Sequence, residues 1–271
     1  QWAHTYRYEA GGAAVLGGIQ PQPLDFEPDG TLDLEKVAAA VKPDDLHFAR
    51  TRLLCLENTM AGKVLPLPYL DAVGEFARER GLRLHLDGAR IFNAAAALNV
   101  HAREIARPFD SVSVCLSKGL AAPVGSVLCG SGDFIRQARR WRKMLGGGMR
   151  QAGVLAAAGI VALEEMVERL PEDHRNADRL AAGFGRVPGI TVEEGGARTN
   201  MVFFTLDEAL LGRWGPFMAA RGVLVGDHPG AVRAVTHYGI DAADIDAVVA
   251  AAAAAAAACR ARSPRSRPAE V

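Results

Sequence analysis

Apolar and polar positions along this chain fall into two alternating rhythms. TRLLCLENT (51–59) is a short apolar run that turns polar at its end, which predicts a strand. LPYLDAVGEFARERG (67–81) repeats its apolar positions at helical spacing and closes on a glycine, which predicts an amphipathic helix. LRLHLDGAR (82–90) reads as a second strand ending at Asp87, and IFNAAAALNV (91–100) as a helix. SVSVCL (111–116) then reads as a buried strand running out into Ser117, Lys118 and Gly119, with a further apolar run, VGSVLCG, from Val124. Strand, helix, strand, helix, strand is the order of a parallel α/β sheet.

The flanks are read in the same way. TLDLEKVAAAV (31–41) predicts a short helix with an Asp or Thr cap. FIRQARRWRKML (134–145) predicts a basic helix whose charges form a solvated face, and GGGMRQ (146–151) breaks it, with Arg150 free to meet an anion. Two Ala- and Leu-rich helices follow, over 152–170 and 172–186. After Pro188 the rhythm shortens: ITVEEG, TNMVFFTL, GVLVG and AVRAVTHYG predict strands, with helices near 207–221 and 241–260. The expected organisation is a large α/β domain over 1–170, a smaller α+β domain over 171–262 and a disordered tail over 263–271. No apolar run is expected to reach the length of a membrane span.

Composition narrows the classes. Among 271 residues, Lys plus Arg and Asp plus Glu both number 31, so bulk charge gives no case for nucleic-acid or membrane binding. Cys55, Cys115, Cys129 and Cys259 have no C-x-x-C spacing, which argues against a metal site. Three of them lie in or beside apolar runs and read as small core residues of a reducing compartment. The chain starts at Gln1 in the middle of a pattern, so an upstream segment is expected.

The chemistry lies at the strand ends. In parallel sheets, ligands bind beyond the carboxyl ends of the strands. Glu57 with Asn58, Asp87 with Arg90, and Ser117 with Lys118 all fall there. Lys118 is either a desolvated nucleophile for carbonyls or a strand-ending lysine that snorkels to water. His4, between Tyr6 and Tyr8, either stacks on a flat ligand or packs within a glycine-rich loop. Arg233, inside the apolar run AVRAVTH, calls for an anionic partner, which is either a substrate carboxylate or an internal acid.

Six stretches, taken in order, carry a resemblance. HTYRYEAGGAAVLGGIQPQPL, HFARTRLLCLENT, LHLDGARIFNA, SVSVCLSKGLAAPVGSVL, RWRKMLGGGMRQAG and VRAVTH together resemble the low-specificity L-threonine aldolases, of the beta-eliminating lyase/threonine aldolase family. The resemblance implies the pyridoxal-phosphate-dependent, aspartate-aminotransferase-like fold (fold type I). It implies cleavage of L-threonine or L-allo-threonine to glycine and an aldehyde, by a cytoplasmic homodimer or homotetramer. Lys118 would carry the cofactor as a Schiff base, Asp87 would pair with the pyridine nitrogen, and Arg90 would sit by the phenolic oxygen. His4 would stack on the ring, Ser117 would help hold the phosphate, Arg150 would reach in from a partner subunit, and Arg233 would fix the substrate carboxylate.

Two departures accompany the resemblance. Met60 stands where family members often carry a histidine, and a thioether cannot transfer a proton. No turn resembling SGTxAN, whose backbone N–H groups would cradle the phosphate, precedes His4. The chain as given is therefore expected to retain its cofactor weakly and not to sustain aldolase activity. Two further readings stand beside the aldolase: a truncated, catalytically impaired relative, and a β-eliminating lyase on the same scaffold.

Overall fold

The computed structural model describes residues 1–261. The tail expected to be disordered lies outside the described residues. Two compact units divide the chain, the first over Gln1–Leu170 and the second beginning at Pro171.

The first unit is built on a four-stranded sheet in the order β1 (Leu53–Glu57), β2 (Arg83–Asp87), β3 (Ser111–Cys115), β4 (Ser126–Gly130). β1, β2 and β3 run parallel, and β4 returns antiparallel to β3. Side chains on a strand alternate between faces. Leu56, Leu84, Leu86 and Val112 turn to one face and are buried there. Against them pack Leu70, Val73 and Phe76 of α4 (Leu67–Glu79), and Ile91 and Ala94 of α5 (Ile91–Leu98). Burying a side chain such as Leu86 contributes roughly 1.5–3 kcal/mol. The same alternation sends Glu57, His85, Asp87, Ser111 and Ser113 to the opposite face.

Local signals explain the element ends. Asp33 caps α3 (Leu34–Ala40) by accepting the Glu35 N–H. α4 stops before Gly81, whose φ of 64° suits glycine, and α5 ends at Asn99 in the left-handed region. A short helix, α6 (Ala102–Ala106), precedes β3. α1 (His4–Arg7) and α2 (Gly12–Val15) are single turns within the glycine-rich start. α7 (Gly132–Met144) and α8 (Gly153–Glu165) flank the glycine break, and α7 buries none of its residues.

All but the first residue of α9 (Leu170–Phe184) belongs to the second unit, which also has an antiparallel sheet of β5 (Ile190–Arg198), β6 (Met201–Leu206) and β7 (Val232–Val235), with α10 (Trp214–Ala219) between β6 and β7 and α11 (Ala242–Ala261) after them. Phe184, Phe204 and Trp214 form its aromatic centre, with ring centroids 4.9–6.3 Å apart.

Four expectations need correction. GVLVG forms no strand: Leu224 is 90% exposed, and the run finds no neighbouring strand to pair with among the described residues. α11 is long and apolar enough to cross a membrane by length and composition. Its buried side, including Ile245, Ala252, Ala255 and Cys259, packs into the core of the second unit. Of the four cysteines only Cys259 is buried, since Cys55 and Cys129 are exposed and Cys115 is half-buried. The strand before Lys118 stops at Cys115, so the lysine stands in a turn rather than at a strand end.

Candidate active site

The carboxyl ends of β1 and β2 lie level. Glu57 and Asp87 are register partners, and Asp87 is in turn paired with Ser113 of β3. The Asn58 N–H donates to the Asp87 carbonyl at 2.9 Å, and the Ala89 N–H to Asp87 Oδ1 at 3.1 Å. Gly88 follows at once. A Cβ on it would stand 2.9 Å from the Ser113 carbonyl oxygen, so only glycine lets β2 leave the sheet this close to β3. Arg90, half-buried, is the capping residue of α5.

Lys118 lies in the turn beyond β3. The Leu116 N–H donates to the Gly125 carbonyl at 3.0 Å, the Ala122 N–H to Leu116 at 3.0 Å, and the Ala121 N–H to Lys118 at 2.9 Å. Lys118 is half-buried and Ser117 exposed. A Cβ on Gly119 would meet the Asn93 side chain and Leu170, each at 3.0 Å, so glycine here lets the lysine turn sit against α5. Lys118 acts electrostatically on Glu57, as the weakest of the influences on that carboxyl.

His4 joins them through its main chain: its N–H donates to Glu57 Oε2 at 2.8 Å. Its Nδ1 meets Glu9 at 2.8 Å, and its half-exposed ring lies 5.3 Å from Tyr8. Burial pushes the Glu57 carboxyl up, reinforced by Asp87 and opposed by the His4 N–H, His4 and Lys118. Lys118, Asp87 and His4 are thus linked through Glu57. Arg150 is exposed in the turn after the α7 break, outside these contacts. Arg233 belongs to the second unit. The expectation that it is embedded in apolar surroundings is corrected, because β7 alternates so that Val232 is buried and Arg233 exposed.

Two groups carry more than sequence reasoning assigned them. Glu57 and Asn58 were legible as the polar end of an apolar run, with no role attached. Asn58 is fully buried, its Oδ1 accepts the Leu65 N–H at 3.3 Å, and its Nδ2 has no partner among the described residues. A buried donor left unpaired is costly, which marks the place as one suited to a polar ligand atom.

Behind this edge, His85 shares the face of Asp87. Its Nδ1 lies 2.8 Å from Ser111 Oγ, and burial holds its pKa below the usual 6.5 while Asp87 opposes the shift. The unfolded chain therefore takes up the His85 proton first as pH falls. Its contribution to stability is complete above about 6.5 and is lost as pH drops through the folded value. His85→Asn, which keeps a donor for Ser111, should flatten the loss of thermal midpoint below pH 6.5 in an unfolding series.

Comparison with known proteins identifies the family. The beta-eliminating lyase family model matches residues 1–208. The low specificity L-threonine aldolase of Escherichia coli K12 is 53% identical over 250 residues, covering 92% of this chain and 74% of that protein. The solved threonine aldolase of Leishmania major is similar in fold, with a TM-score of 0.77 at 20% identity, over 94% of this chain and 76% of that one. A variant of SPT solved with PLP has a TM-score of 0.65 at 18% identity, over 84% of this chain and 60% of that one. This chain belongs to the beta-eliminating lyase family. Its architecture is that of the pyridoxal-phosphate-dependent fold type I enzymes. The donor set at this edge fits that cofactor: an amine that could meet its carbonyl and a carboxylate that could meet its ring nitrogen.

Proposed function

We propose that this chain is an aldolase that cleaves L-threonine and L-allo-threonine to glycine and an aldehyde with pyridoxal phosphate. The observation that carries the reading is the convergence of Lys118, Asp87 and His4 on Glu57 at the carboxyl edge of the sheet. When bound, the cofactor supplies an electrophilic carbonyl and a ring that accepts the electrons of the broken Cα–Cβ bond.

The chain's own residues divide the remaining work. Lys118 would supply the amine that holds the cofactor. Asp87, oriented by the Ala89 N–H, holds a proton at the ring nitrogen. His4 would cover one face of the ring and keep water from it. Arg90 would face the phenolic oxygen, Ser117 would offer its hydroxyl to the phosphate, and Arg150 would reach the site of a partner subunit. Arg233, exposed on β7 and so accessible to a ligand, grips the substrate carboxylate with its two-pronged guanidinium. A cytoplasmic homodimer or homotetramer is part of the same proposal. The exposed apolar side chains of α7 and α8, among them Trp141, Met144 and Ile160, support the assembly.

Product identity tests the reading. The purified chain, given excess pyridoxal phosphate and L-threonine or L-allo-threonine, should release glycine and acetaldehyde in equal amounts. Ammonia with a 2-oxo acid would instead assign it β-elimination on the same scaffold.

A further inference from the structure

The glycine-rich start of the chain has little to hold it. α1 is a single turn with no buried residue, and a helix that short is not stable alone. The side-chain contacts described for His4 are local, to Glu9 and Tyr8. The Gln1 amino group donates to the Leu24 carbonyl, and one contact of His4 itself reaches further. Glu57 Oε2, at the end of β1, accepts the His4 N–H at 2.8 Å across a sequence separation of 53 residues. A carboxylate accepting a backbone N–H makes a charge-assisted bond, stronger than a neutral one.

We propose that Glu57 is a positioning residue: it ties the segment carrying His4 to the end of β1 and so sets where the imidazole stands relative to Asp87 and Lys118. The inference rests on the roles proposed above for His4 and Lys118. The charged groups that act on Glu57 are Asp87 from β2, His4 from α1 and Lys118 from the turn after β3. Burial, the largest influence on this carboxyl, raises its pKa. Burial thus disfavours the charged form that the His4 N–H favours, which suits a group kept for the site rather than for stability.

Two substitutions separate the tie from the charge. Glu57→Gln keeps a side-chain carbonyl oxygen within reach of the His4 N–H, whereas Glu57→Ala removes the acceptor. In the cofactor-free chain, Glu57→Ala should shift and broaden the His4 ring signals in the NMR spectrum, and Glu57→Gln should leave them near the parent positions. Titration with pyridoxal phosphate should give a Kd weakened about tenfold by Glu57→Ala and changed by less than about twofold by Glu57→Gln. In a His4→Ala background, Glu57→Ala should have less than about a twofold further effect, because there is no longer a ring to position. A purely structural role would cost the same in both backgrounds. The proposal is overturned if the His4 signals ignore Glu57→Ala, if Glu57→Gln behaves like Glu57→Ala, or if the two alanine substitutions add in full. The NMR measurement needs no cofactor, so it judges the tie even where borohydride trapping finds the cofactor on a lysine other than Lys118.

Discussion

Lys118→Ala is expected to abolish the borohydride-reducible adduct with pyridoxal phosphate and to lower turnover by at least about 10³-fold. The chain has five lysines: Lys36, Lys42, Lys63, Lys118 and Lys143. Lys36 is engaged with Glu27 at 2.5 Å, and Lys63 donates to the Pro28 carbonyl. Lys118 is the one set on the edge where Glu57 and Asp87 end their strands. Its turn is held by backbone bonds and by the packing of Gly119, neither of which involves the amine, so the alanine variant should fold. Reduction with borohydride and peptide mapping should find the label on the Lys118 peptide in the parent chain and none in the variant. A label on Lys63 or Lys143 in the parent would refute the assignment.

Asp87→Asn should lower kcat by about 10²–10³-fold while changing KM little, a size typical of losing one group that stabilises charge in a transition state. The substitution keeps an oxygen for the Ala89 N–H and leaves the main-chain bond from Asn58 in place, so the end of β2 is preserved. What disappears is the negative charge proposed to face the ring nitrogen. Arg233→Lys should instead raise KM about tenfold with a smaller change in kcat, because a point charge replaces a two-pronged fork. Steady-state kinetics on both variants decides the matter. If the two lose activity in the same pattern, the division between ring and carboxylate roles is wrong.

Much of the first unit was legible because its elements announce themselves locally. The helical spacing of LPYLDAVGEFARERG and the Asp33 cap are each short-range signals, and α4 and α3 formed where they pointed. The polar ends of LLCLE and RLHLD were legible for the same reason, since strand side chains alternate and the sheet must stop where burial stops. Long-range consequences were not legible. Nothing in VGSVLCG states the direction in which β4 runs. The run GVLVG has the composition of a strand, but a strand also needs a neighbour, and β5, β6 and β7 complete their sheet without it. Arg233 looked embedded because its neighbours in sequence are apolar, yet on a strand those neighbours point the other way. The link from His4 to Glu57 joins a backbone group to a distant side chain, and no residue type at position 4 would have announced it.

The antiparallel return of β4 governs how far the lysine can wander. Parallel strands require a long crossover, and a group on such a connection swings with it. Here the chain doubles back, and the bonds between Leu116 and Gly125 and between Ala122 and Leu116 fasten the arch at its base. The main chain at Lys118 is tethered from both directions, so the amine explores space chiefly through its own four-carbon stem. A short, closed arch also forfeits less freedom on ordering than an open one. The proposed nucleophile is thus mounted before anything arrives to react with it, and hydrogen exchange at Leu116 and Ala122 should remain slow whether or not the ligand is present.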